Sequence, residues 1–312
     1  MSKTENEVSW LHRYASLVAV MTFLLFMTGM LVSSAGPISL MPHWLELGAS
    51  GKPDAGPPGK YAHVYQFLAV TVVVLTLILA VWLWRSHSRR YVKTLGSITA
   101  GVLLGMALTV LSPVRGLYPA AVSVGYTCGI QVFFCLTVCL ALFTRTDWRW
   151  DEPKTPDLAS PSLRQILVFS TAAVFLQPLL GEAFRQKKMG IAPHLVLGIA
   201  VLLCSLWVLE MALTKFAYLR AFKISTIFLA ELVGLQFFLG IISYSMNLNA
   251  RRGPDFQPGL AVMNVTHAAV GALVLATVLF VTCQGFKYFG PADIGASSAM
   301  LHEDPAAGPQ ED

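Results

Sequence analysis

Eight long apolar runs constrain this chain more than any other feature of its sequence. They cover residues 14–34, 61–84, 94–114, 118–144, 166–185, 193–213, 224–246 and 262–286. Each run has the roughly 20 residues that a helix needs to cross a bilayer, and a helix satisfies its own backbone polar groups there. Only 12% of the residues are charged, against about 25% in soluble domains, which excludes a soluble globular protein. The sequence therefore predicts an all-α integral membrane protein with eight transmembrane helices.

The lysines and arginines predict how these helices are oriented. Of the 22, 14 lie in the terminal segments and in the loops 85–93, 145–165 and 214–223, and 8 lie in or beside the other loops. Cytoplasmic loops carry the excess of positive charge, so both termini are expected to be cytoplasmic. The first ten residues contain two glutamates and no arginine, unlike a mitochondrial presequence. We therefore expect a multi-pass protein of the bacterial cytoplasmic (inner) membrane.

The net charge of +5 is spread over these short loops. This distribution is typical of topology signals and not of a nucleic-acid surface. The expected surroundings are therefore membrane lipid, with no nucleic acid partner.

Three of the seven histidines occupy matched positions near one face of the membrane. His63, His194 and His267 begin the second, sixth and eighth runs, which all enter the bilayer from the outer face. Ionisable side chains within spans usually face the bundle interior. A single histidine of this kind fits an interhelical hydrogen bond at least as well as it fits a metal-ligand role. Three at matched depth favour metal ligation, because neutral imidazole binds iron. A surface position accounts for the loop and tail histidines, His43, His87 and His302.

Two of the three histidines are followed by a glycine one helical turn later. His194 and Gly198, like His267 and Gly271, lie four residues apart and therefore on one helix face. Such a glycine leaves room for a flat group beside the imidazole, and it equally permits close helix packing. Two facing His-x-x-x-Gly helices would form a bis-histidine haem pocket, so His194 and His267 are the predicted iron ligands.

The chain divides into two halves of four runs each, which look like a tandem duplication. The halves are residues 1–150 and 151–288, and the polar tail 289–312 is expected to be disordered. His63 and His194 open the second run of each half. We therefore expect two pseudo-symmetric four-helix bundles.

The first half does not repeat the histidine pair of the second. The counterpart of His267 falls near Tyr126, and the residues four positions after His63 and Tyr126 are Phe67 and Ile130. Neither leaves the space that glycine does. The pocket of the first half is therefore expected to be differently shaped, or filled.

Five segments form a pattern through their order and spacing along the chain. They are Trp10–Ala15, Gly29–Ser34, Tyr126–Leu136 in the fourth run, Gln177–Arg185 in the fifth and Gln236–Gly240 in the seventh. Together they resemble the heme A synthase family of cytochrome oxidase biogenesis, of which this chain would be a divergent member. The likeness covers nearly all eight runs.

This resemblance implies an eight-helix bundle that holds haem b on His194 and His267, with a site for the substrate haem O in the first half. It implies oxidation of a methyl group of haem O to the formyl group of haem A, with haem b passing electrons. The implied partners are haem O, a heme O synthase and cytochrome oxidase assembly factors, and a homo-oligomer is a further expectation.

Three departures from the family fall together in the first half. The family has glutamate three residues before its first histidine and often arginine just after it, whereas this chain has Lys60 and Val64. Tyr126 stands where the family has its second histidine. The catalytic candidates are therefore His63, Tyr126 and Lys60, with His63 as a further metal ligand. Tyrosine ligates haem iron in catalase, and Lys60 fits either a propionate contact or a snorkelling interfacial position.

Two charged residues at the outer end of the fifth run are further candidates. Arg185 would meet an anionic haem propionate. Glu182 would replace the missing acid of the substrate site, or would pair with Arg185.

Three functional hypotheses follow from these residues. The first is a heme A synthase with an altered substrate site. The second is a non-catalytic family member that binds haem b and acts in electron transfer or in oxidase assembly. The third is a transporter, because repeated halves also build transporters, but the runs lack paired Gly/Pro interruptions at mid-membrane.

Overall fold

The computed structural model describes residues 3–34, 57–111, 119–150, 154–157, 159–250 and 258–291. Within these ranges the chain forms eight helices and two short strands. The helices of the first half are α1 (Lys3–Ser34), α2 (Pro57–Ser86), α3 (Arg90–Leu111) and α4 (Pro119–Phe143). The second half contains β1 (Thr155–Asp157), α5 (Leu163–Arg185), α6 (Ala192–Thr214), α7 (Arg220–Ala250), α8 (Pro258–Tyr288) and β2 (Phe289–Pro291). All eight helices are long and apolar enough to cross a membrane, which confirms the predicted all-α membrane architecture.

Seven of the eight described helices are longer than the apolar runs that predicted them. The first helix begins at Lys3 and the eighth at Pro258, before the apolar runs at 14 and 262. Hydropathy detects the part of a helix that lies in hydrocarbon, whereas hydrogen bonding continues into the polar interface. The fifth helix shows how such an end is set, because the Ser162 side chain accepts from the Gln165 backbone N–H and the Gln165 side chain accepts from the Ser162 N–H. This capping box fixes the first turn of α5.

The eight helices pack as two four-helix bundles with the same order of neighbours. In the first half α1 packs on α2, α2 on α3, α3 on α4, and α4 closes against α1. In the second half α5 to α8 repeat this sequence of contacts, with α8 closing against α5. The two bundles meet where α1 and α4 pack against α5 and α8. The described helices therefore form two sets of four that repeat one order of contacts.

Polar contacts join helices that are distant in sequence. The Nδ1 of His12 lies 2.8 Å from the carbonyl oxygen of Ala141, which links the start of α1 to the end of α4. The hydroxyls of Thr171 and Thr282 lie 2.7 Å apart between α5 and α8. Hydrogen bonds of this kind hold helices together in a bilayer, where apolar packing gives little preference for protein over lipid.

A small parallel sheet joins the beginning and the end of the second half. The register pairs Thr155 with Phe289 and Asp157 with Pro291. Phe289 is fully buried, with ring centroids 4.5 Å from Phe216 and 5.5 Å from Phe222. The fold of the second half thus includes β2, beyond the expected boundary at 288, because burial of the Phe289 ring fixes this strand. Residues 292–312 of the expected tail lie outside the described residues.

The structure corrects the surface interpretation of His87. Its side chain is only 7% exposed, and its Nδ1 accepts a hydrogen bond from the backbone N–H of Arg89 at 3.2 Å. Burial, together with the charge of Arg89, lowers the pKa of His87 below its usual value of 6.5. The neutral imidazole is therefore the form that the fold favours. His43 and His302 lie outside the described residues.

Candidate functional site

The two predicted iron ligands of the second half face each other across its bundle. His194 is the third residue of α6 and His267 is the tenth residue of α8. Their ring centroids are 6.4 Å apart, and the ring planes are inclined by 68°. Both side chains are half-buried. The fold therefore brings together two histidines that are 73 positions apart in the sequence.

The ring of His194 is oriented by the backbone of α5. Its Nδ1 lies 3.1 Å from the carbonyl oxygen of Gln177, and the Gln177 amide donates in return to the backbone carbonyl of His194 at 3.2 Å. The next residue, Pro178, has no backbone N–H and interrupts the regular hydrogen bonding of the helix at this turn. A proton on Nδ1 satisfies the carbonyl, and the Nε2 lone pair is then available to a metal.

The ring of His267 is placed differently. Its Nε2 lies 3.4 Å from the amide nitrogen of Gln236 on α7. Its Nδ1 is buried and has no hydrogen-bond partner among the described residues, and the same holds for the Oε1 of Gln236. Buried polar atoms without partners are costly. This pair of residues is therefore a place where a bound group would supply missing interactions.

Each imidazole rests on a glycine of the preceding helix. A Cβ placed on Gly181 of α5 would lie 3.6 Å from Cε1 of His194. A Cβ on Gly240 of α7 would lie 3.2 Å from Cε1 of His267, which is closer than ordinary van der Waals contact. The absence of a side chain at these two positions lets the helices approach until the rings fit.

The glycines that follow the two histidines are in turn covered by the two glutamines. A Cβ on Gly198 would lie 3.5 Å from the amide nitrogen of Gln177. A Cβ on Gly271 would lie 3.0 Å from the amide nitrogen of Gln236. The space expected beside each imidazole is thus lined by an amide group, and both glycines also serve close helix packing.

The second half therefore contains one unit twice: a Gln-x-x-x-Gly helix packed on a His-x-x-x-Gly helix. The glutamines had no site role in the sequence interpretation. The signal that predicts them is the shared spacing of Gln177 with Gly181 and of Gln236 with Gly240, which places each pair on one helix face.

The geometry fits a metal held between two imidazoles. Two metal–nitrogen bonds of about 2 Å, plus about 1 Å from each nitrogen to its ring centre, give a centroid separation of about 6 Å. The observed separation of 6.4 Å between His194 and His267 is close to this value. Within the described ranges, no group of three or more His, Cys, Asp or Glu side chains gathers as a bare metal ion would require. Two axial imidazoles suit haem, because the macrocycle supplies the other iron ligands.

Arg185 and Glu182 form a pair with each other at the end of α5. The Arg185 Nε and a terminal nitrogen donate to the two carboxylate oxygens of Glu182 at 2.7 and 2.8 Å. Glu182 is buried and also accepts from the Gln186 side chain at 2.8 Å. Of the two roles expected for Glu182, the structure thus shows the ion pair with Arg185. The Arg185 side chain remains 45% exposed, so part of its surface is open to an anion.

The first half brings Tyr126 to a different partner from the one expected. The hydroxyl of Tyr126 lies 2.9 Å from the hydroxyl of Tyr65. Tyr65 is buried, and a Cβ on Gly29 of α1 would lie 3.2 Å from its ring. Tyr65 therefore rests on Gly29 in the way that His194 rests on Gly181.

His63 lies two residues earlier on α2, about 200° around the helix from Tyr65, and its side chain is exposed. Lys60 is in the first turn of α2, where the structure describes the backbone only. The sequence interpretation missed Tyr65. The correspondence between Gly29 and Gly181 is the signal that points to it.

These contacts define two unequal centres, a histidine pair in the second half and a tyrosine pair in the first. No protein-family model and no curated protein matches this chain.

Proposed function

We propose that this chain is a membrane haem protein in which His194 and His267 would hold the iron of haem b between α6 and α8. The observation that carries the proposal is the separation of 6.4 Å between the two imidazole centroids. Haem b bound in this way would take up and pass on single electrons. The protein's own contribution would be to supply two imidazole ligands, to orient His194 through the Gln177 carbonyl, and to exclude bulk water.

The role that we propose lies in cytochrome oxidase biogenesis, as in the heme A synthase family. Two segments of the resemblance, Gln177–Arg185 and Gln236–Gly240, pack directly on the histidines. This placement supports the resemblance, because it gives those segments a shared purpose. A heme O synthase and oxidase assembly factors would then be partners.

The geometry of the first half favours the non-catalytic member of the family, acting in electron transfer or oxidase assembly. The position that matches the histidine pair is taken by Tyr65 and Tyr126, whose hydroxyls are in contact. The side chain of His63 is exposed and lies on another face of the same helix.

A second candidate function is a heme A synthase that converts haem O to haem A in the first half. Its support is the matched packing of the two bundles, which gives the first half a place for a second haem. This function requires Tyr65 and Tyr126 to separate, so that Tyr126 and His63 reach the substrate. Lys60, at the start of the same helix, would meet a propionate.

The charge distribution supports a bacterial inner-membrane location with cytoplasmic termini. His194 and His267 would then lie near the outer face. Cysteine labelling from outside intact cells tests this orientation at position 188 against position 215, since these lysines follow α5 and α6. A cysteine at 188 should react and one at 215 should not; the opposite pattern would invert the orientation.

The test of function is expression together with a heme O synthase in a host that lacks its own heme A synthase. The extracted haem is separated by chromatography and identified by mass. We expect haem b in a ratio of one per chain and no modified haem. Haem A or its hydroxylated precursor would establish the second candidate instead, and a folded chain with no haem would overturn both.

Three variants locate the site. His194→Ala and His267→Ala should each lose haem b. The matched control His63→Ala, also a histidine at the outer part of an even-numbered helix, should keep it.

A further inference from the structure

A second polar site lies at the other face of the membrane, where α5 begins. A cavity of about 700 Å³ opens between the start of α5, the end of α8 and the two-stranded sheet. It is lined by Asp157 of β1, by Ser162, Arg164, Val168 and Phe169 at the start of α5, and by Phe286 near the end of α8. Its size falls within the roughly 300–1,000 Å³ of small-molecule sites. We call it the Asp157–Arg164 cleft.

The carboxylate of Asp157 is buried, and only one of its two oxygens accepts a hydrogen bond from a described residue. The side chain is only 5% exposed. One oxygen, Oδ2, accepts from the backbone N–H of Arg164 at 3.2 Å. The other, Oδ1, has no hydrogen-bond partner among the described residues. A buried carboxylate oxygen without a donor is costly, so this atom marks where a ligand donor would bind.

The guanidinium of Arg164 lines the same cleft and forms no ion pair with the Asp157 carboxylate. The guanidinium carbon of Arg164 lies 4.4 Å from the centre of the Phe286 ring, stacked over its face. Its Nε is buried and has no hydrogen-bond partner within the described part of the chain. In the described part of the chain, neither Asp157 nor Arg164 takes part in an ion pair. The cleft therefore contains one acidic and one basic side chain, and neither forms an ion pair with a described residue.

The order of groups along α5 matches that of an amphiphile. Val168 and Phe169 lie one turn beyond Arg164, about 6 Å further along the helix axis. They are 48% and 52% exposed and face outward from the bundle. A molecule in the cleft would meet charge first and hydrocarbon next, as lipid does at a membrane interface.

We propose that the Asp157–Arg164 cleft binds one phosphatidylethanolamine molecule. Its ammonium donates to Oδ1 of Asp157, its phosphate accepts from the Arg164 guanidinium, and an acyl chain lies along Val168 and Phe169. An ammonium has three N–H donors, and guanidinium is suited to phosphate. Phosphatidylcholine carries the same phosphate but no N–H donor, and phosphatidylglycerol carries no cation. This site is independent of haem binding.

The experiment is native mass spectrometry of the full chain in detergent, with the three lipids at equal concentration and with identical acyl chains. We expect one phosphatidylethanolamine per chain, bound about tenfold more tightly than phosphatidylcholine, which is the effect of one charge-assisted hydrogen bond. If the unmodified protein bound phosphatidylethanolamine and phosphatidylcholine equally, or preferred phosphatidylglycerol, the proposal would be overturned.

Two variants assign the contacts. Asp157→Asn should abolish the preference for phosphatidylethanolamine over phosphatidylcholine, and Arg164→Gln should weaken binding of all three lipids. The matched control is Arg220→Gln, which removes an exposed arginine that begins α7 on the same face and should change nothing. An unchanged lipid preference in folded Asp157→Asn protein would contradict the assignment. If that variant does not fold, the comparison of lipids on the unmodified chain decides the proposal.

Discussion

The imidazole of His267 packs more tightly on its glycine than the imidazole of His194 does. The distances from a Cβ to the ring would be 3.2 Å at Gly240 and 3.6 Å at Gly181. Both glycines lie inside helices, so alanine at either position gains about 0.8–1.0 kcal/mol of helix propensity. This gain is the same for both variants and cancels when they are compared. The difference in stability between the two variants then reports only how strongly the added methyl group crowds the imidazole ring.

Overpacking by one methyl group costs about 1–3 kcal/mol where neighbours cannot move. We expect Gly181→Ala to be as stable as the unmodified protein or more so, and Gly240→Ala to be less stable than Gly181→Ala by about 1–3 kcal/mol. Thermal unfolding in detergent, followed by circular dichroism, measures this difference at about 2–4 °C for each kcal/mol. Gly240→Ala should also release haem b more readily, because its axial ligand is displaced. A Gly240→Ala protein at least as stable as Gly181→Ala would refute the packing argument.

Three further predictions test other parts of the structure. A double-mutant cycle of Tyr65→Phe and Tyr126→Phe should give a coupling energy of about 0.6 kcal/mol, and at most about 1.7; zero coupling in denaturant unfolding would mean that the hydroxyls do not interact. Since the fold lowers the pKa of His87, the folded state binds its proton more weakly than the unfolded state. Stability should therefore fall as pH drops through about 6.5, and His87→Asn should flatten that slope in melting curves between pH 7 and 5. Removing Arg185 leaves the buried Glu182 carboxylate short of a partner, so Arg185→Leu should destabilise by about 1–3 kcal/mol. Adding Glu182→Gln should recover part of that loss, and a double variant less stable than the single one would contradict the ion pair.

The number and course of the helices follow directly from the sequence. A run of about 20 apolar residues has few alternatives to a transmembrane helix. Even-numbered helices share a direction, which is enough to place His194 and His267 at the same end of one bundle. Their approach to 6.4 Å also requires α6 and α8 to be rotated so that both rings face inward, and chain order does not fix that rotation.

The rotation of each helix about its axis is the part that the sequence does not encode plainly. A helix that is apolar on all sides shows no strong amphipathic pattern, so the sequence of the second helix does not reveal that Tyr65, and not the predicted His63, faces inward. Packing of the Tyr65 ring on Gly29 decides between them. Similar reasoning applies to His87, which lies in a short polar segment and is buried by the helices around it.

The Asp157–Arg164 cleft was not visible in the sequence for a related reason. It depends on the pairing of β1 with β2, strands of three residues each from opposite ends of the second half. Segments this short carry no periodic pattern. Their contact is set by the burial of Phe289 against Phe216 and Phe222.

Haem binding by the histidine pair is tested by the visible absorption spectrum of the purified chain, compared with the spectra of His194→Ala and His267→Ala. We expect the spectrum of a six-coordinate low-spin haem b in the unmodified protein, and its loss in each variant, while circular dichroism shows retained helix. A haem b spectrum that persists unchanged in both folded variants would contradict the assignment of these two histidines as the axial ligands.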